Sequence, residues 1–320
     1  MIRCLQNNRV HGLPGLSPLA SIGIPVYQGE DFLDKTLQSA RNQKHEPLEI
    51  VVSDNASTDS TAAIVAQHAG ADSRIRGVVQ VENVGAAENY NAVFRESKGI
   101  YFAWNAHDDY SSPDFVFEGV RALEATPDAV VALPRTLRVD TSGAVLEEMV
   151  IPDALFSASR AIRFRAAARA EPEAVIFGLF RSDVLRSTAL HGHFTGSDRN
   201  LVAELLLMGP AVMAGDSEFY LREHDNRSVR RLGRGRSRFS HPREGWYAPQ
   251  RSGKMVFPSW RRLGSYLSTV SRADNLTIKD RSSCYVAIVR LLFDDRMRLT
   301  KYLLNDVVTS LVFMRRTRRG

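Results

Sequence analysis

The chain has 320 residues, of which 44% are hydrophobic and 24% charged, with a formal net charge of +6. That is enough apolar material to bury a substantial core, and the length fits one large domain or two smaller ones. Its two cysteines, Cys4 and Cys284, exclude a disulfide scaffold or a cysteine-built zinc site and fit a reducing compartment.

The charge is unevenly spread. Residues 226–320 hold 22 of the 42 Lys and Arg but only 6 of the 36 Asp and Glu, a balance of +16, which leaves −10 on the first 225 residues. The basic character therefore belongs to the C-terminal part. Met1 to Gln28 has no continuous apolar run behind its basic residues, so neither a cleaved signal peptide nor a membrane span is expected, and the expected address is cytoplasmic.

Short apolar runs alternate with helical periodicity through the N-terminal half, the pattern of an α/β fold with a mostly parallel sheet flanked by helices. Ala20 to Val26 reads as the first strand, followed by a helix over Asp31 to Arg41 with Phe32, Leu33, Thr36, Leu37 and Ala40 on one face. Leu48 to Val52 is a β-branched second strand ending in the polar loop Ser53 to Asp59. A helix burying Ile64, Val65 and His68, a strand from Arg76 to Val81, a helix from Ala86 to Ser97 and a strand from Gly99 to Trp104 follow. Pro113 opens a helix to Ala125, Ala129 to Val139 has strand character, and Thr141 to Gly143 is a turn. Ile176 to Met208 reads as helical with a break at Gly192 to Ser197. Right-handed crossovers bring the loops after successive strands to one edge of the sheet, where a ligand should sit.

Two of those strand ends carry carboxylates. Asp108 and Asp109 are adjacent, past an apolar strand, and carboxylates are natural ligands for Mg²⁺ or Mn²⁺ shared with substrate phosphates. The same pair before Tyr-Ser-Ser-Pro also suits a turn and helix cap. Asp54 closes the second strand, where a carboxylate can accept a hydrogen bond from a base or ribose, while Ser57, Thr58 and Asp59 suit the cap of the next helix.

Three strings, SIGIPVYQGEDFLDKTLQSARNQKHEPLEIVVSDNASTDST, ENVGAAENYNAVF and GIYFAWNAHDDYSSPDF, together resemble family 2 glycosyltransferases, whose catalytic domain has the GT-A fold. The resemblance runs from about Ser21 to Arg227. It implies a nucleotide-sugar donor, most readily a UDP-sugar, beside Pro25, Tyr27 and Glu30, with Asp54 on uracil or ribose, Asn83 and Gly85 lining the pocket, and Asn89 near it. It also implies that Asp108 is shared between ribose and metal and that Asp109 is the main protein ligand of Mg²⁺ or Mn²⁺. Ala106 stands where many relatives carry a further aspartate.

Farther on, Ile176 to Arg181, Gly196 to Arg199, Glu204, Arg222 to His224 and Ser228 resemble a bacterial subgroup of the family. Asp198 would then be the catalytic base, with Glu204 in reserve, and His224 would complete the metal or phosphate site. An inverting transfer needs a carboxylate to take the acceptor's proton and positive charge on the departing diphosphate. Asp198 also suits a helix N-cap.

The implied activity is a metal-dependent inverting glycosyltransferase of hexosyltransferase type. Its acceptor would be a saccharide or lipid-linked molecule in polysaccharide or glycoconjugate assembly. Domain 1–225 would bind donor and catalyse. Region 226–320 would supply a basic loop with arginines at 227, 230, 231, 234, 236 and 238, followed by amphipathic helices that grip phosphate, touch an anionic membrane, or pack on the body or a second subunit of a homo-oligomer. Nucleic acid is not expected as a partner, since no known module accompanies the charge. Two other classes share parts of this pattern. A nucleotidyltransferase usually has a Gly-rich phosphate loop, whereas Gly23 stands alone between Ser21 and Gly29. A non-catalytic GT-A-like binding protein is kept open by Ala106.

Overall fold

A computed structural model describes residues 17–225, 242–249, 257–274, 276–293 and, apart from 302 and 305, 300–308. The arginines at 227, 230, 231, 234, 236 and 238, Ser228 and the C-terminal arginine run lie outside the described residues.

Four parallel strands form one half of the sheet: β1 (Ala20–Val26), β2 (Leu48–Asp54), β3 (Ile75–Val79) and β4 (Tyr101–Trp104) stand in the order β3-β2-β1-β4. Their crossovers are α1 (Leu33–Arg41), α2 (Thr61–Ala71) and α3 (Ala86–Glu96). Each helix lays its apolar side on the sheet: α1 buries Leu33, Thr36, Leu37 and Ala40, and α2 buries Thr61, Val65 and His68. β1 and β2 are buried along nearly their whole length because helices cover both faces. Val26 pairs with Asp54 in register, so the carboxyl ends of β1 and β2 finish together.

The second half of the sheet is mixed. After a short β5 (Tyr110–Ser111) and α4 (Phe115–Ala125) come β6 (Val131–Val139), β7 (Val145–Glu148), α5 (Arg160–Arg169), α6 (Glu173–Ile176), β8 (Leu179–Arg181), α7 (Ser182–Arg186), α8 (Ser197–Met208) and β9 (Ala211–Arg222). β8 joins β4 to β6 antiparallel, β6 runs parallel to β9, and β5 closes the edge against β9. The expected helical stretch from Ile176 to Met208 is thus interrupted by a strand. Leu179 and Phe180 are fully buried on the two faces of the sheet, a three-residue element too short to show a period.

Downstream lie α9 (Pro242–Tyr247), α10 (Pro258–Arg272) and α11 (Ile278–Leu292). Tyr266, Val270, Cys284, Ala287, Ile288 and Leu291 enter the same hydrophobic cluster as α5 and α8. One side of α11 is therefore an ordinary packing face.

Candidate active site

The carboxyl edge of β1, β2 and β4 is built by buried asparagines. Asn89, near the start of α3, donates from Nδ2 to the Val26 and Ser53 carbonyls at 3.2 and 3.0 Å, which fastens α3 to both strand ends. Asn55 takes the Val84 N–H on Oδ1 at 2.8 Å and donates to Asn83 Oδ1 at 3.0 Å; the same Asn83 oxygen accepts the Gly85 N–H at 2.9 Å. Gly85 then starts α3 at φ +87°, a conformation that favours glycine. Asp54 accepts the Ser57 N–H at 3.0 Å, so its strand end turns straight into the polar loop. Asp54, Asn83 and Gly85 thus stand together at one strand edge.

The loop after β1 is latched across to the loop after β2. Ser60 N–H donates to Glu30, Glu30 N–H donates to Asp59, and Gln28, at φ 52°, exchanges hydrogen bonds with Ser57 and Thr58. Glu30 thus shapes the rim through the backbone. Tyr27 stands exposed beside it, and Pro25 lies buried within β1.

The aspartate pair divides. Thr36 Oγ1 donates to the carbonyls of His107 and Asp109 at 2.8 Å each, and Asn105 Nδ2 holds the Asp109 carbonyl at 3.1 Å, pinning the loop onto α1 and β4. Asp109 is 1% exposed, and its Oδ1 accepts the Arg222 N–H at 2.8 Å, tying the loop to the end of β9. The Arg222 side chain lies over the rings of Phe32 and Tyr110, 4.8 and 5.1 Å from their centres. Asp108 turns the other way: its Oδ2 lies 2.9 Å from His224 Nε2. The His224 ring sits 4.5 Å from that of Phe32, and its Nδ1 is buried with no hydrogen-bond partner among the described residues.

That O···N separation suits a shared cation. The contact is itself a hydrogen bond between carboxylate and imidazole; two neighbouring ligands of an octahedral ion with bonds of about 2.1 Å stand about 3.0 Å apart, so an ion shared by Asp108 and His224 would replace that bond, with both side chains turning towards it. Among the described residues no group of three His, Cys, Asp or Glu side chains could hold a metal.

Asp198 stands in the first turn of α8, behind Gly196 at φ +86°, and accepts the Arg199 N–H on Oδ1 at 2.7 Å. Burial, and then Glu173, raise its carboxyl above the ordinary range, against the opposing pull of the Arg199 N–H and the Arg199 and Arg262 guanidinium groups. Glu204 faces a different neighbourhood, beside the Ala189 N–H and Arg272. Glu173 and Arg262 beside Asp198, and Arg222 against Asp109, are neighbours that the sequence did not single out as candidates. Arg222 and Glu173 sit beside residues already singled out, whereas nothing local marks Arg262.

A separate cavity of about 350 Å³, lined by Gln38, Arg41, Asn42, Asp72 and Arg74, opens at the opposite, amino edge of the strands. Asp72 is paired there with both arginines, so the cavity is a structural ion cluster away from the strand-end carboxylates.

Residues 21–170 match the family model described as Glycosyl transferase family 2. The chain carries a family 2 glycosyltransferase domain. The putative teichuronic acid biosynthesis glycosyltransferase TuaG of Bacillus subtilis is 36% identical over 38% of this chain and 56% of its own. Chondroitin synthase of Pasteurella multocida is 31% identical over 35% of this chain and 11% of its own. The chain thus spans about half of the first relative and a small part of the second. In three dimensions the domain is similar to S. aureus TarS 1-349 in complex with UDP-GlcNAc, with a TM-score of 0.61, 13% identity, and coverage of 90% of this chain and 79% of that one. The mannosyltransferase PcManGT of Pyrobaculum calidifontis, in complex with GDP-Man and Mn2+, gives 0.50 at 17% identity, covering 96% and 91%. These likenesses identify the fold as GT-A.

Proposed function

We propose that this protein is a metal-dependent inverting glycosyltransferase that takes a sugar from a UDP-sugar. The observation that carries this reading is Asp108 facing His224 at 2.9 Å at the strand edge that also holds the Asp54, Asn83 and Gly85 cradle. In this proposal Asp54 receives the base or ribose, and Pro25, Tyr27 and the Glu30 loop wall the same pocket. The metal is held by Asp108 and His224, not by Asp109, because the Asp109 carboxylate is spent on fixing the end of β9. A divalent ion there, completed by diphosphate oxygens and water, would supply positive charge to the leaving group.

Asp198 acts on the acceptor. Its carboxylate takes the proton of the attacking hydroxyl as the new bond to the anomeric carbon forms and the bond to the diphosphate oxygen breaks. A carboxyl raised above its ordinary range is a better base than a free one, since a useful general base has its pKa near the working pH. The acceptor is placed in the saccharide or lipid-linked class, and the names of the relatives support a role in cell-surface polysaccharide assembly. Donor binding and catalysis are assigned to residues 1–225 and acceptor or surface contact to 226–320.

The surface part of this assignment has one structural support. The outward side of α11 carries Val286 (49% exposed), Val289 (52%) and Phe293 (78%) at its end, with Lys279 and Arg290 beside them. An apolar stripe flanked by cations suits peripheral contact with an anionic membrane. No described helix is long and apolar enough to cross one. The test of the catalytic reading is turnover of a panel of nucleotide sugars with and without Mn²⁺; metal-dependent release of UDP supports it, and an absence of turnover with every donor opposes it.

A further inference from the structure

Helix α3 buries two asparagines, Asn89 and Asn91, in its interior, where asparagine is a poor helix former and a buried amide costs free energy unless it is bonded. Two residues apart on a helix, they face different sides. Asn89 holds the strand ends of the cradle. Asn91 faces the loop between α7 and α8: its Nδ2 donates to the His191 carbonyl and its Oδ1 accepts the His191 N–H, both at 2.9 Å. This pair of bonds resembles one rung of a β-ladder, so it fixes both the place and the direction of the loop backbone. Further contacts support the rung. The His191 ring lies edge-on to Tyr90 and Trp104, at 5.3 and 5.0 Å, and Trp104 Nε1 donates to the Tyr90 carbonyl at 2.8 Å. His193 Nε2 stands 3.5 Å from Glu88. Just ahead of the rung, Leu190 is held at φ +56°, a conformation that leucine keeps only where its surroundings impose it.

We propose that Asn91 is a positioning residue for Asp198: it grips the loop that leads into the turn of the base, and so joins that turn to the helix that starts at the donor cradle. This inference rests on the catalytic reading of Asp198 given above. The chain from His191 to Asp198 is short and folded on itself. The Phe194 N–H donates to the Gly192 carbonyl at 2.8 Å, the Ser197 N–H donates to the Phe194 carbonyl at 3.2 Å, and Gly196 at φ +86° turns the chain into α8. A displacement at His191 therefore meets little slack before it reaches Asp198. On the far side α8 is held by Asn200, whose Nδ2 donates to the Arg262 carbonyl at 3.0 Å. The base thus stands between two asparagine anchors, one on α3 and one on α8. Releasing the first lets the turn open to water, which lowers a carboxyl that burial holds up, and lets the carboxylate drift from the line along which it takes the acceptor's proton.

The experiment compares the full-length protein with Asn91→Ala and with Asn91→Leu, which keeps much of the side-chain volume while removing both bonds. Each change is made alone and together with Asp198→Asn. UDP binding with Mn²⁺ is measured by calorimetry, and Asp198 is titrated by carboxyl-carbon NMR, its signal assigned by its loss in Asp198→Asn. Both single variants should lower kcat about tenfold or more while UDP affinity stays within about twofold, because Asn89 still holds the cradle. The Asp198 midpoint should fall by about 0.5 units or more, and the acid limb of the transfer rate should move to lower pH by the same amount. In the Asp198→Asn background the same changes should cost kcat little further, since the group that they position is gone. An equal loss of kcat in both backgrounds, or an Asp198 midpoint in both variants equal to that of the wild type, overturns the proposal. If the wild type turns over no nucleotide sugar while the midpoint still shifts, the glycosyl-transfer reading fails and the positioning contact stands.

Discussion

The two halves of the site are built by different means. On the proposed donor side, Asp54 and Asp108 lie at or just past strand ends, held in place by Asn55, Asn83, Asn89 and Asn105 within a sheet whose register runs unbroken from Ala20 to Val26. On the proposed acceptor side, Asp198 hangs on a glycine turn at a helix start, and its neighbours Glu173 and Arg262 come from α6 and α10, far apart in sequence. A strand edge makes a rigid, locally coded platform for a ligand that is the same in every turnover. A turn closed by remote elements can vary its acceptor without disturbing the platform.

The sharpest way to break this division is Asp198→Asn. Loss of the base should lower kcat by about 10²–10⁴-fold while metal-dependent UDP binding persists. The same change should stabilise the fold. The folded-state pKa of Asp198 is raised above its unfolded value, so its stabilising contribution is complete below the unfolded pKa and is lost as pH rises through the folded one. Asp198→Asn should therefore raise Tm at neutral pH, with the gain shrinking towards acid pH; a lower Tm at neutral pH would show that the ion is well stabilised in place.

Gly85→Ala comes next and tests the seam between the halves. Its Cβ would meet the Tyr247 carbonyl, and φ +87° disfavours any side chain by about 1–2 kcal/mol. Chemical denaturation should show at least that loss, together with weaker UDP binding. Asp109→Ala should cost a comparable amount, about 1–3 kcal/mol, by leaving the buried Arg222 N–H unpaired. Asp109→Asn keeps an acceptor oxygen and should retain metal-dependent UDP binding. The smallest effect is on the outer surface: Val289→Ser with Phe293→Ser should reduce binding to anionic vesicles and leave donor turnover intact. Unchanged vesicle binding would remove the membrane assignment.

The same contrast explains what could be read from the chain. β1 is as expected to the residue, α1 and α3 lie within the expected spans, and α2 forms where a helix was expected, burying Val65 and His68 with Ile64 only partly covered. β8 and β9 were missed. β8 has three residues, and β9 mixes buried apolar positions with Gly215, Asp216 and Glu218, so neither shows a clean alternation. Yet β9 is what carries Arg222 and His224 back to the aspartate pair. The different fates of Asp108 and Asp109 were equally hidden, since two adjacent carboxylates look alike until a returning strand offers one of them an N–H.

The central claim is that Asp108 and His224 together hold a divalent ion on which the donor diphosphate rests. Thermal unfolding of the wild type, Asp108→Asn and His224→Ala, each with UDP and with or without Mn²⁺, tests it most directly, because a ligand that binds the folded state raises its stability by mass action. The account predicts that UDP with Mn²⁺ stabilises the wild type well beyond either alone, and that this extra stabilisation disappears in both variants. A metal-dependent UDP shift that survives in Asp108→Asn and His224→Ala would contradict it.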